Sequence, residues 1–299
     1  MCFVSEKERK QLNTNGYIFI ENVLSKGECD NYIDEIWGFL QNGCKSINRN
    51  EPKTLCTRNW PKNNNGHINI DVGHTQFIWD IRTNNNIIDI FNEIYDDNEL
   101  KTSFEGITIV KPPEYVKRRK QPKEFFYLCH PLNKNDINCY RGLLVLEDCD
   151  INDCTFNVLV GSHNVYDDYT TEHSINKYKN FIRIDDSTWF INNLCEKKTH
   201  KIKRGTLILY DSKLAYYIKS PQRYRTNKNR FFYSVNLSYR PTRDFTDPQL
   251  LKRKNHFENG TMTTFLGYNK LQPMSYNYRS IFRFKYSCPT INIDKRYLI

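Results

Sequence analysis

Seven short runs rich in β-branched and aromatic residues follow one another from Phe104 onward, at 104–110, 124–129, 141–146, 155–160, 206–210, 215–218 and 231–237. Turn formers such as Pro112-Pro113 and Gly161-Ser162 stand between them. Runs of this length, bounded by turn signals, are half-buried strands that pair with their neighbours. A chain carrying seven of them after a helical start has few solutions, and the one these patterns predict is an antiparallel sandwich braced by helices.

The helical start is marked by two capping boxes, Ser5-x-x-Glu8 and Ser25-x-x-Glu28. In each, the serine hydroxyl and the glutamate carboxylate satisfy each other's backbone N–H groups. After the second box, Cys29, Tyr32, Ile33, Ile36, Trp37 and Leu40 recur at helical spacing. Gly16-Tyr17-Ile18-Phe19-Ile20 reads as a short strand between the two helices, and Ile87, Ile90, Phe91 and Ile94 predict a third helix over 86–95. No repeat, low-complexity linker or clear boundary divides the 299 residues. The expectation is one domain over 1–299, helical to about 100, β from about 101 to 240, with an extension over 241–299.

With 38% hydrophobic and 14% aromatic residues the chain is globular. No apolar run is long enough to span a membrane, and the first residues lack a signal-peptide pattern, so an intracellular, cytoplasmic protein is expected. Ten cysteines without a Cys-x-x-Cys pair read as free thiols, and the sequons at Asn236 and Asn259 as coincidental. The formal charge of +10 permits contact with nucleic acid or an acidic partner. Its densest clusters are Lys117-Arg118-Arg119-Lys120 and Lys252-Arg253-Lys254, both read as solvated faces. Abundant Asn, Lys and Ile point to an AT-rich genome, as in large DNA viruses or protists.

A series of ordered motifs carries a family resemblance. It begins with Gly16-Tyr17-Ile18-Phe19-Ile20-Glu21-Asn22-Val23-Leu24-Ser25 and continues through Trp60-Pro61, Gly73 to Arg82 and Ser103-Phe104-Glu105-Gly106. Cys139-Tyr140-Arg141-Gly142, Val160-Gly161-Ser162-His163, Gly205 to Ser212 and Asn259-Gly260-Thr261 follow. In this order they resemble the phytanoyl-CoA dioxygenase-like branch of the Fe(II)/2-oxoglutarate-dependent oxygenases. The resemblance implies an α+β, mainly β fold, a double-stranded β-helix (jelly roll, cupin-like) core braced by N-terminal helices. It also implies iron held by two histidines and a carboxylate, and 2-oxoglutarate anchored by an arginine.

The family's His-x-Asp pair projects onto Tyr127 and Cys129, its second metal histidine onto Tyr216, and its co-substrate arginine onto Arg230. A neutral phenol is a poor ligand for Fe(II), and a thiolate favours softer metals. The resemblance therefore implies a scaffold that has kept a 2-oxoglutarate carboxylate binder, Arg230, and lost its metal ligands. A relocated site would draw on His130, Cys129, Asp136 or Asp211. His163 and His74 read as turn and core residues, Asp211 as a strand-end acid, and Phe125, Phe126, Phe231 and Phe232 as core.

The function expected on this reading is that of a catalytically inactive oxygenase-like protein, acting by binding a protein partner, with no cofactor and no membrane. Two alternatives stand beside it. One is an active Fe(II)/2-oxoglutarate dioxygenase or hydroxylase with an altered metal site, and the other is a basic protein that touches nucleic acid through Lys117 to Lys120.

Overall fold

In a computed structural model, which describes residues 3–56, 59–61, 67–68, 72–115, 125–131, 139–176, 181–266 and 287–299, helices α1 (Glu6–Asn15) and α2 (Lys26–Gly43) begin at the two capping boxes. Glu8 N donates to Ser5 Oγ at 3.3 Å and Ser5 N to Glu8 Oε2 at 2.8 Å. The same pair of bonds closes the start of α2 on Ser25 and Glu28. The strand β1 (Tyr17–Ile20) lies between them. Further along come β2 (His67–Ile68), α3 (Gln76–Arg82) and α4 (Asn85–Tyr95). Helix α4 is the third helix read from the isoleucine spacing, whereas α3 is too short to show a period.

The β part comprises β3 (Leu100–Thr102), β4 (Ile107–Val110), β5 (Phe125–Tyr127), β6 (Tyr140–Val145) and β7 (Thr155–Val160). After helix α5 (Tyr166–Glu172) come β8 (Ile182–Ile184), helix α6 (Thr188–Asn192) and β9 (Glu196–Thr199). The series ends with β10 (Thr206–Asp211), β11 (Tyr216–Lys219), β12 (Phe232–Pro241) and helix α7 (Asp247–Glu258). Two antiparallel sheets result. The larger runs β1-β10-β6-β12-β4-β2, with β3 also on β12, and the smaller runs β8-β5-β11-β7-β9. This is the α+β, mainly β, jelly-roll architecture expected.

Three apolar layers follow from strand alternation, which sends neighbouring side chains to opposite faces. The outer face of the large sheet (Leu144, Leu207, Leu209, Val235, Leu237) packs against α2, α3 and α4 through Ile36, Trp37, Ile81, Ile90 and Phe91. Trp37 Nε1 donates to Tyr233 OH at 2.8 Å within this layer. The inner faces meet through Val110, Leu143, Val145, Phe156, Val158, Ile208, Tyr210, Tyr216 and Phe232. The outer face of the small sheet is covered by α5 and α6, where Tyr127 and Leu159 meet Tyr166, Tyr169 and Phe190.

Several local readings are corrected. The cluster Lys252-Arg253-Lys254 is not a solvated stripe. Arg253 is fully buried on α7, donating to Thr102 O at 2.6 Å and to Ile299 O at 2.9 Å. Strand β12 runs four residues beyond the expected 231–237, to Pro241, because its outward residues Tyr233, Leu237 and Tyr239 stay buried under helices. Strand β9 escaped notice because all four of its residues are exposed and polar, so its place comes from pairing with β7 alone. The nine described cysteines are free thiols. Asn236 is buried in β12, so its sequon presents no accessible amide. Among the described residues no helix is long and apolar enough to cross a membrane.

One buried and one half-buried histidine set an acid limit on this fold. His74 packs against Phe104 and donates from Nε2 to Thr261 O at 3.0 Å, and burial, followed by Arg82, lowers its pKa to about 4. His200 pairs with Tyr17 OH at 2.8 Å and is also lowered to about 4, chiefly by burial. Unfolded, both take up protons near pH 6.5, so below that pH the unfolded chain binds protons the folded chain refuses. Their contribution to stability is complete above about pH 6.5 and declines as the pH falls toward 4. The urea midpoint is expected to drop between pH 7 and pH 5, with a smaller drop in His74→Gln. A flat midpoint over that interval in the unaltered protein would contradict this account.

Candidate functional site: the mouth of the sandwich

The sandwich has two ends. At one lie the end of β5, the start of β11, the end of β10 and the start of β6; at the other lie the β6–β7 turn and the start of β12. The positions onto which the resemblance projects the metal ligands, Tyr127, Cys129 and Tyr216, stand at the first end. Strand pairing fixes which residues look inward there. Phe126 is in register with Tyr216, and Tyr216 with Val158, so these three share the inner side. Leu128, two residues on, packs against the inner cluster as well.

Tyr127 and Cys129 therefore face the opposite way. Both belong to the outer layer under α5 and α6. Tyr127 is fully buried, its hydroxyl donates to Ser162 O at 2.7 Å, and burial raises its pKa far beyond the ordinary tyrosine range. Cys129 is held there too, and its carbonyl accepts from Tyr166 OH at 3.1 Å. The inward residues of this segment are Phe126 and Leu128, one position away from the projected pair.

Tyr216 does face inward. Its ring stacks on Phe156 with centroids 5.1 Å apart, and its hydroxyl meets Tyr210 OH at 2.9 Å. His130 is buried instead of lying on a rim, and its Nε2 is 3.2 Å from Asn176 O, beyond α5. Asp211 closes the turn after β10 by accepting from Lys213 N at 2.7 Å, and burial raises its carboxyl pKa. Asp136 and the cluster Lys117, Arg118, Arg119 and Lys120 lie outside the described residues. Among the described residues no three His, Cys, Asp or Glu side chains come together as a metal site.

Arg230 stands at the other end, before β12. Its Nη1 donates to Asp148 O at 3.1 Å and lies 3.6 Å from Asp153 Oδ2. The local acid it meets is Asp153. Between Arg230 and the mouth the inner faces are packed with Phe156, Val158, Tyr210 and Phe232.

The charge inside the mouth belongs to residues that the sequence placed only within landmark segments. Arg141 of β6 donates from Nη2 to Glu105 Oε1 at 2.6 Å, and both side chains are nearly fully buried. Ser103 Oγ donates to Glu105 Oε2 at 3.0 Å. A strap over 261–266 covers the pair. Phe265 lies over the Arg141 guanidinium, 4.3 Å from ring centre to carbon. The strap is fixed by Thr263 N to Phe104 O and Phe104 N to Thr263 Oγ1, each 3.2 Å, and by Leu266 N to Ser238 Oγ at 3.3 Å. The pair joins residues 36 apart, a separation at which no local pattern reveals it.

No family model matches the chain. It is 24% identical over 222 residues, 70% of each chain, to the Ava biosynthesis cluster protein O of Aspergillus versicolor. Solved structures align over nearly its whole length. The epimerase SnoN, in complex with Fe3+, alpha ketoglutarate and nogalamycin RO, covers 92% of this chain and 96% of its own, with a TM-score of 0.57 and 10% identity. SnoK, a non-heme alpha ketoglutarate-dependent carbocyclase from nogalamycin biosynthesis, covers 92% and 94%, with a TM-score of 0.55 and 10% identity. EctD from S. alaskensis with bound Fe covers 80% and 78%, with a TM-score of 0.53 and 14% identity. The chain has the fold of the non-heme iron, alpha-ketoglutarate-dependent enzymes, the phytanoyl-CoA dioxygenase-like type that its ordered motifs resemble.

These neighbours overturn one expectation. A chain with no cofactor was anticipated, yet SnoN was solved with Fe3+ and alpha ketoglutarate and EctD with Fe, so the fold points to those cofactors. The described residues do not by themselves fit the metal. The inner positions of β5, of Leu128 beyond it and of β11 offer two rings and two aliphatic side chains, Phe126, Tyr216, Leu128 and Ile218, and the hydroxyl of Tyr216 is already engaged by Tyr210.

Proposed function

We propose that this chain is an enzyme of the iron- and 2-oxoglutarate-dependent type with an altered metal centre, acting on a small organic molecule. The observation that carries this reading is the extent of the fold match, 92% of this chain and 96% of SnoN, an epimerase solved with Fe3+ and alpha ketoglutarate. The Ava cluster protein, named for biosynthesis, supports the same class of work. The inner positions of the described strands carry rings, and His130 and Asp211 are engaged by Asn176 O and Lys213 N, so the ligand set of this reading differs from the two histidines and a carboxylate that the resemblance implies.

A second reading, a binding protein without turnover, is favoured by the ring-filled inner layer of Phe156, Tyr210, Tyr216 and Phe232. One experiment separates the two. Purified protein supplied with Fe(II), 2-oxoglutarate and oxygen is expected to release succinate in proportion to added iron, and to stop when a chelator is added. Tyr216→Phe should retain that release, because the phenol is not a ligand in this reading. Absence of iron-dependent succinate, together with no shift in melting temperature on adding 2-oxoglutarate, would sink the enzyme reading and leave the binding one.

A further inference from the structure

A cavity lies away from the mouth, where helix α7, Lys101 of β3 and residues 288–299 meet. Its volume of about 570 Å3 falls within the size range of small-molecule sites. The walls are apolar: Leu250, Leu251 and Phe257 from α7 face Pro289 and Ile291. Leu251 is 62% exposed at its edge.

The charge around these walls is net positive. Lys101, Lys254 and Arg296 line the cavity, against Glu258 and the carboxyl group of Ile299. None of the three cations forms an ion pair among the described residues. Beneath them, Arg253 is fully buried and donates to the carbonyls of Thr102 and Leu298 and to the carboxyl group of Ile299. Lys101 Nζ donates to Tyr297 O at 2.5 Å, and its pKa is lowered by burial and next by Arg253, with Glu99 opposing. An apolar pocket with a net positive lining is complementary to one kind of small molecule.

We propose that this cavity binds an organic monoanion with an apolar body, its hydrocarbon or aromatic part against Leu250, Phe257 and Ile291 and its acid group among Lys101, Lys254 and Arg296. The site is separate from the mouth and stands whether or not the chain turns over 2-oxoglutarate. Cys288, an exposed thiol in the lining, supplies a readout at the site itself.

The test uses the full chain with the aromatic sulfonate 8-anilinonaphthalene-1-sulfonate as probe and decanoate, decanol and decyltrimethylammonium as competitors. The probe is expected to bind saturably, with decanoate displacing it at least tenfold more effectively than the alcohol or the cation. The double reversal Lys254→Glu/Arg296→Glu, on two exposed side chains, should weaken probe binding at least tenfold with no change in melting temperature above a few degrees. Alkylation of Cys288, followed by peptide mapping, should slow at least fivefold under saturating decanoate. Equal competition by decanol, unchanged binding in the double reversal, or unprotected Cys288 would each overturn the proposal. If the double reversal unfolds the chain, Leu251→Asp with the same Cys288 measurement decides in its place.

Discussion

Glu105→Ala is expected to lose about 3–5 kcal/mol of folding stability, read as a fall in urea midpoint at unchanged slope. The size of the effect comes from what is left behind. Glu105 and Arg141 are bound at 2.6 Å with only 7% and 6% of their side chains exposed, so removing the carboxylate strands a guanidinium under Phe265 and the inner sheet. Deleting one member of a buried pair costs far more than the pair contributes, because the survivor has lost water as well as its partner. Glu105→Gln should cost less, since the amide oxygen still accepts from Arg141. The combined replacement Glu105→Leu/Arg141→Met should recover most of the loss. A single-variant loss below about 1 kcal/mol, or a double variant as unstable as the single, would show that the mouth does not rest on this pair.

Gly205→Ala should be nearly as damaging, at roughly 2–5 kcal/mol. Gly205 has φ +75°, where a residue with a Cβ is strained, and that Cβ would be driven into Leu24 O. The backbone there cannot move aside. Gly205 N donates to Val145 O at 2.8 Å, while its carbonyl accepts from Val23 N at 2.9 Å and Leu24 N at 3.3 Å. This single residue thus ties the start of β10 to the end of β6 and to the turn before α2. Thermal unfolding of the variant, beside Gly27→Ala as a control with open space around it, measures the effect. A Gly205→Ala midpoint within a degree or two of the control would refute the argument.

The fold was legible because its signals are local. Capping boxes, the isoleucine face of α4 and the strand runs each need only a few neighbouring residues, and the motif order gathered them into one architecture. The mouth was less legible. Parity along β5 depends on strand pairing, which placed Phe126 opposite Tyr216 and turned Tyr127 and Cys129 to the outer layer; counting residues to a family landmark carries an error of one, and one residue reverses a strand's faces. Arg141 and Glu105 were invisible as a pair because chemistry between distant segments leaves no spacing to read. Arg253 went unread for another reason. Its neighbours Lys252 and Lys254 made a charge run, and only the packing of α7 shows that the middle one points inward.

The strap across the mouth has a consequence for the order in which the chain completes itself. Thr263 closes on Phe104 across 159 positions, so the end of the sandwich laid down in mid-chain stays open until late residues arrive. A ribosome paused before residue 261 would present Arg141 and Glu105 to water, and the nascent sandwich would be a client for chaperones at that stage. Brief protease pulses during synthesis should therefore cut the unfinished chain near its open end and spare the finished one.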